Sequence, residues 1–68
     1  MIKFQLEGDY IPLISLLKAN ALVQSGGEAQ VVVEQGLIKV NGETEFRKRA
    51  KIYRGDKVEF LNHTILIN

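Results

Sequence analysis

The sequence predicts an α+β domain: two short helices packed on a small, mostly antiparallel β-sheet. Three observations carry this expectation. Apolar and polar residues alternate around Ile2-Phe4-Leu6, Ile38-Val40, Val58-Phe60 and Ile65-Ile67, the period of a strand with one buried face. Ile11, Ile14, Leu17 and Ala21 recur instead at helical spacing, in a stripe widened by Leu13 and Leu16. Ser25 to Asn41 then reads as a helix start, a short helix, a glycine stop, a strand and a tight turn.

The elements follow in order. Ile2 to Leu6 is a first strand, broken by Gly8-Asp9. Asp9 or Tyr10 then precedes a helix with Pro12 in its first turn, where a missing N–H costs nothing. Leu13, Ile14, Leu16 and Leu17 are core candidates, and Lys18 sits near the helix end, where a cation suits the dipole. Asn20 to Gln24 link to a second helix. Ser25 and Glu28 have the spacing of a capping box, in which each side chain satisfies a backbone N–H. Ala29, Val32 and Val33 form the inner face of this helix. Three consecutive valines favour strand on propensity, but the cap and Gly36 outweigh them, since Gly36 can adopt the left-handed conformation that ends a helix. Neither helix is long enough to stand alone in water.

Asn41-Gly42 suits a two-residue turn with positive φ at both positions. The hairpin returns through Glu43 to Phe46, which is expected to be buried. Ile52 and Tyr53 precede a turn at Arg54-Gly55-Asp56. Val58 and Phe60 make a further strand, and Asn62-His63 turns it into Thr64 to Ile67.

Bulk properties bound the function. Sixty-eight residues make one domain, 1–68, with no room for a second core. A chain of this length buries only about 60% of its unfolded surface. There are no cysteines, which excludes disulfides and a thiolate zinc site and fits a reducing compartment. No apolar run approaches the roughly 20 residues of a membrane-spanning helix. Met1 to Asp9 holds no signal-peptide core, so the cytoplasm is the expected location. Net charge is only +1, yet residues 39 to 57 carry seven Lys and Arg against three acids, a net of +4, and the remainder carries −3. Such polarity can present a basic face despite a near-neutral total. A solvated hairpin is the plain alternative, because exposed strands carry Lys and Arg to discourage edge pairing.

Ser25-Gly26-Gly27-Glu28-Ala29, Gly36-Leu37-Ile38-Lys39-Val40-Asn41-Gly42-Glu43 and Gly55-Asp56-Lys57-Val58 stand in the order and spacing of a known pattern. Over about residues 9 to 61 the chain resembles the RNA-binding domain first described in small-subunit ribosomal protein S-four. It is most similar to the stand-alone bacterial members. The resemblance implies RNA binding, with ribosomal or transfer RNA as the ligand class. It also implies that the turn at Ser25, Gly26 and Gly27 and the helix after it face RNA. The family often has Lys or Arg where Gln30 stands here.

Two stretches are candidate contact sites. A helix N-terminus at Ser25-Gly26-Gly27 offers free N–H groups to a phosphate, and the glycines allow close approach. Glu28, in the same turn, opposes an anion, so a simple helix cap is the competing reading. It is no nucleotide P-loop, because the Gly-Lys-Ser/Thr ending is absent. Arg47, Lys48, Arg49 and Lys51 form the second stretch. Alternation sends Arg47 and Arg49 to one face and Lys48 to the other, and guanidinium forks suit phosphate oxygens. Lys18, Gln30 and Lys39 are secondary candidates.

The aromatics are few. The phenylalanines fall at core-facing positions, leaving Tyr10 and Tyr53 as the residues able to meet a base, which is no stacking platform. Recognition through shape and backbone is therefore expected over a base-by-base code. His63 is the single histidine and reads as a solvated turn residue. No nucleophile–base pair or metal cluster emerges, and Arg54-Gly55-Asp56 reads as a turn. The sequence thus points to a non-catalytic RNA-binding protein with no cofactor, metal or membrane partner. The alternative is a protein-interaction module that keeps the fold but not RNA affinity, for which Gln30 and the low net charge speak.

Overall fold

The computed structural model describes all 68 residues. In chain order the elements are β1 (Ile2–Phe4), β2 (Ile11–Pro12), α1 (Leu13–Ala19), α2 (Gly26–Glu34), β3 (Ile38–Val40), β4 (Glu43–Thr44), β5 (Lys51–Ile52), β6 (Lys57–Phe60) and β7 (His63–Ile67). Five strands form one sheet in the order β1-β7-β6-β3-β4, and β2 pairs with β5 in a separate ladder. Every pairing is antiparallel except β1 with β7.

Strand periodicity dictates the layering. Val40 faces Val58, Val58 faces Ile65, and Ile65 faces Ile2, so one apolar row crosses four strands. The adjacent row Lys39, Glu59 and Thr64 points the other way. The apolar face meets Leu13, Leu16 and Leu17 of α1 and Ala29 and Val33 of α2 in one core that also takes in Leu6, Val23, Ala50 and Ile52. No polar residue is buried.

The helix ends are built by local chemistry. The Ser25 hydroxyl accepts the Glu28 N–H at 3.1 Å, and the Glu28 carboxylate reaches back to the Gln24 N–H at 2.6 Å. This is the predicted capping box, with its second arm one residue earlier than the cap itself. At the other end of α2, Gly36 takes φ +76° while the Gly36 and Leu37 N–H groups donate to Val33 and Val32. That pair of bonds defines a Schellman stop. α1 ends the same way, with Ala21 and Leu22 donating to Lys18 and Leu17, but the left-handed position is held by Ala21 at φ 57°.

Four expectations need correction. Pro12 is the extended N-cap of α1 at φ −61° and ψ 144°, not a residue of its first turn. It can stand there because it first pairs, with Ile11, against β5. Ala21 lies beyond the helix and is exposed rather than part of the core stripe. Phe46 is 62% exposed. β4 ends at Thr44, so strand alternation no longer governs Phe46, whose ring edge rests over Gly36 instead. The last hairpin turns at Leu61-Asn62, one residue early, because His63 already pairs with Phe60. Leu61 is left exposed at φ 56°.

Two substitutions at equivalent helix ends should move stability in opposite directions. An L-residue in the left-handed region costs about 1–2 kcal/mol, part of which glycine returns through unfolded-state entropy. Ala21→Gly is therefore expected to stabilise the fold by about 0.5–1 kcal/mol, raising Tm by about 3–6 °C. Gly36→Ala should destabilise it by about 1–2 kcal/mol, since the new methyl would also stand 3.0 Å from Phe46 Cε1. Thermal and urea unfolding of both variants measures the contrast.

Candidate functional site

The basic stretch is held by its backbone. α1 has no side-chain cap, so the N–H groups of its first residues need other acceptors. The Leu13 N–H donates to the Ala50 carbonyl at 2.9 Å and the Ile14 N–H to the Lys48 carbonyl at 3.3 Å. Residues 47–50 close as a turn, with the Ala50 N–H on the Arg47 carbonyl. The loop thus turns its carbonyls inward to the helix and its long side chains outward. From Arg49 to Tyr53 the chain alternates strictly: Ala50 and Ile52 are buried, while Arg49, Lys51 and Tyr53 are exposed.

The four cations of this stretch have different fates. Arg47 forks onto Glu45 through Nε at 3.0 Å and through its terminal nitrogen at 3.1 Å, and its backbone N–H joins the same carboxylate. The Arg47 guanidinium beside it holds the Glu45 carboxyl below its ordinary value of 4.5, and the pair raises Arg47 in turn. The Arg47 side chain is nonetheless 80% exposed, leaving its outer edge available. Lys48 leaves the others and reaches α2, with Gln30 at 3.5 Å and Glu34 at 4.0 Å. Arg49 and Lys51 meet no carboxylate within ion-pair distance and donate no side-chain hydrogen bond. Arg47, Arg49, Ala50, Lys51 and Tyr53 line an open cleft of about 410 Å³.

The other predicted residues are distributed around this loop. Ser25, Gly26 and Gly27 form the first turn of α2, where nothing stands within 4 Å of a side chain built at Gly26. As first helical residues, Gly26 and Gly27 have N–H groups with no intrahelical acceptor. No side-chain hydrogen bond or ion pair joins this turn to the basic loop. Gln30, one helical turn further on, is with Glu34 one of the two residues of α2 that Lys48 reaches. Lys18 lies in the last turn of α1, at the end away from the loop. Lys39 faces outward on β3 between Thr44 and Glu59, on the side of the sheet opposite the helices. Arg47, Lys48, Arg49, Lys51 and Gln30 therefore form one neighbourhood, from which Lys18 and Lys39 stand apart.

Arg54 belongs to the basic segment by sequence but not by role. Its guanidinium donates to the carbonyls of Gly8 at 2.7 Å and Leu6 at 2.8 Å, tying down the N-terminal strand's exit. Sequence reasoning did not foresee this clamp, and nothing local signals a bond across more than forty residues. It also missed the joining of its two exposed tyrosines. Tyr10 and Tyr53 lie with ring centres 6.2 Å apart, tilted by 50°, and Lys51 Nζ sits 4.9 Å over the Tyr10 ring.

Residues 4–68 match the S4 domain family. Over 58 residues the chain is 36% identical to YbcJ of Escherichia coli, spanning 85% of this chain and 83% of that protein, and YbcJ of Shigella flexneri matches to the same extent. The solution structure of E. coli YbcJ is similar at a TM-score of 0.75 and 35% identity, over 98% of this chain and 86% of that one. It is described as revealing an "ALFAL motif involved in RNA-binding". The crystal structure of 30S ribosomal protein S4e from Thermoplasma acidophilum shares the fold at a TM-score of 0.71 and 24% identity, over 85% of this chain and 31% of that one.

The Glu45–Arg47 pair makes the loop's stability depend on pH. A carboxyl held low in the folded state contributes stability that is present above its unfolded value and lost as pH falls through the folded one. Wild type should therefore exceed Glu45→Gln in stability near neutral pH, and the difference should begin to shrink near the ordinary value of 4.5 and be gone once pH lies below the lowered folded-state value. Urea unfolding of both proteins from pH 7 to pH 3 measures it.

Proposed function

Because the chain belongs to the S4 domain family, we propose that it is a non-catalytic RNA-binding protein that grips structured RNA mainly by its phosphate backbone. Ribosomal and transfer RNA are the ligand classes the family suggests, and the cytoplasm, where a chain without cysteines needs no protection from reduction, is the expected location. No helix is long and apolar enough to cross a membrane.

The observation that carries this reading is the outward alternation of Arg49 and Lys51 from a loop whose carbonyls are fixed on α1. Both cations are exposed and without acidic partners, so they meet a phosphate with no ion pair to break. Binding energy of this kind comes from counterion release and weakens with salt. Arg47 adds a guanidinium already oriented by Glu45, and an Arg fork fits phosphate oxygens two at a time. Lys48 carries positive charge onto the face of α2 at Gln30. The Ser25-Gly26-Gly27 turn then offers backbone N–H groups at the start of the same helix.

The test is a salt series. Purified protein is titrated with ribosomal RNA, transfer RNA and a plain RNA hairpin, beside an Arg49→Ala/Lys51→Ala double variant. These two side chains are exposed and make no hydrogen bond or ion pair, so the fold should survive, and circular dichroism checks that it does. Wild-type affinity should fall with salt, and the double variant's slope should be shallower by roughly 0.7–0.9 log unit per contact removed. Flat wild-type titrations with all three RNAs would sink the reading in favour of a protein-interaction module, which should retain a protein partner after nuclease treatment.

A further inference from the structure

The ladder of β2 and β5 does more than brace the helix start. Its register pairs Ile11 with Ile52 and Pro12 with Lys51. Continued by one residue, the same antiparallel register sets Tyr10 opposite Tyr53. Strand alternation then assigns the two faces: Ile11 and Ile52 turn inward, while Tyr10, Lys51 and Tyr53 turn outward. Residues separated by more than forty positions are thereby brought onto one small surface.

Tyr10 is 44% exposed and Tyr53 48%, so each ring keeps a free area. The 50° tilt at 6.2 Å means that the rings do not cover one another face to face. Lys51 occupies one face of Tyr10, an attraction of a cation for the ring quadrupole, and this braces Tyr10 against its neighbour. Tyr53 instead lines the cleft, together with Arg47, Arg49, Ala50 and Lys51. The cleft's volume of about 410 Å³ falls within the range of roughly 300–1,000 Å³ typical of small-ligand sites.

We propose that this cleft seats one unpaired nucleotide of the bound RNA, its base stacked on Tyr53 and its phosphate held by Arg49 and Arg47. The proposal rests on the RNA-binding reading and adds a base-stacking position to it. A cleft that joins an exposed aromatic ring to Arg49, which has no acidic partner, and to the outer edge of Arg47, whose inner edge is held by Glu45, matches both halves of a nucleotide: the ring takes the π-face, and the guanidinium groups take the phosphate. Stacking accepts any base, so the site senses whether a nucleotide is unpaired rather than which nucleotide it is. It would direct a backbone-binding surface to bulges, loops and ends, where a base can leave the helix. A fully paired stem keeps its bases stacked internally and offers the cleft nothing but phosphates.

The chain carries its own reporter. It has two tyrosines and no tryptophan, so intrinsic emission comes from Tyr53 in the cleft and from Tyr10 beside it. The experiment compares two RNA hairpins of identical stem sequence, one fully paired and one with a single bulged adenosine. Wild type should bind the bulged hairpin on the order of tenfold more tightly and show tyrosine quenching with it that the paired hairpin does not cause. Tyr53→Ala should lower affinity for the bulged hairpin to that for the paired one, and leave the paired hairpin's affinity unchanged. Tyr53→Phe, which keeps the ring, should retain the preference. Equal wild-type affinity for both hairpins overturns the inference while leaving RNA binding intact. So does equal weakening of both by Tyr53→Ala, or no effect of it on either. Failure of wild type to bind either hairpin overturns the RNA-binding reading and this inference together.

Discussion

The capping of α1 by the carbonyls of Lys48 and Ala50 is the interaction on which the rest of the arrangement depends. A helix of seven residues is far too short to persist alone, and Pro12 at its N-cap has no side chain able to accept a hydrogen bond. The first free N–H groups must still be satisfied, because burying them unpaired costs on the order of 1–3 kcal/mol each. A loop some thirty-five residues away in sequence supplies the acceptors. Once it does, the other features follow. The carbonyls point in, Ala50 and Ile52 enter the core, β5 pairs with β2, and Arg49, Lys51 and Tyr53 are left facing water. Structure and candidate function share one cause, since the bonds that complete the helix also aim the cations outward.

A second junction secures the far side of the sheet. The Asn41 amide donates to the Asp56 carboxylate at 3.0 Å, and its carbonyl oxygen accepts the Lys57 N–H at 2.9 Å. Asp56 also accepts the Tyr53 N–H at 2.8 Å. Asn41 therefore serves twice, adopting the left-handed turn at φ 52° and locking that turn to the start of β6. Asp56 stabilises the turn that follows Tyr53, which helps fix the end of the outward-facing strip. In a chain this small, with little core to draw on, such side-chain-to-backbone bonds at turns stand in for the packing that a larger domain would have.

Much of this was legible in the sequence where the cause is local. The Ser25–Glu28 box, the Gly36 stop and the Asn41-Gly42 turn each depend on residues within a few positions of one another, and each appears as read. Val31 to Val33 are helical as the sequence predicts, because the caps at both ends outweigh strand propensity. The misreadings came where an element stopped obeying its period. Strand alternation predicts a buried Phe46, yet β4 ends two residues earlier. Local signals predict Pro12 inside the helix, because its pairing with β5 is non-local. The +4 segment was visible as a sum of charges, but a sum does not tell which cations are committed. Arg54 is bound to the carbonyls of Leu6 and Gly8, Arg47 to Glu45 and Lys48 to α2. Arg49 and Lys51 are distinguished from them only in three dimensions, as is the meeting of Tyr10 with Tyr53.

Gln30 shows why a departure from a family pattern has to be judged in place. The family often carries a cation at this position, so glutamine suggested a weakened contact face on α2. Here the Gln30 side-chain oxygen accepts from the Lys48 ammonium, which also approaches Glu34 one turn along. A lysine or arginine at position 30 would set like charges against each other at this distance, whereas glutamine accepts the incoming ammonium at no electrostatic cost. The positive charge on this face of α2 is therefore delivered from the loop rather than carried by the helix. Glu34 draws Lys48 further along the helix without neutralising it fully, because both side chains remain substantially exposed and exposed pairs are weak. The contact of Lys48 with Gln30 couples α2 to the same loop that caps α1.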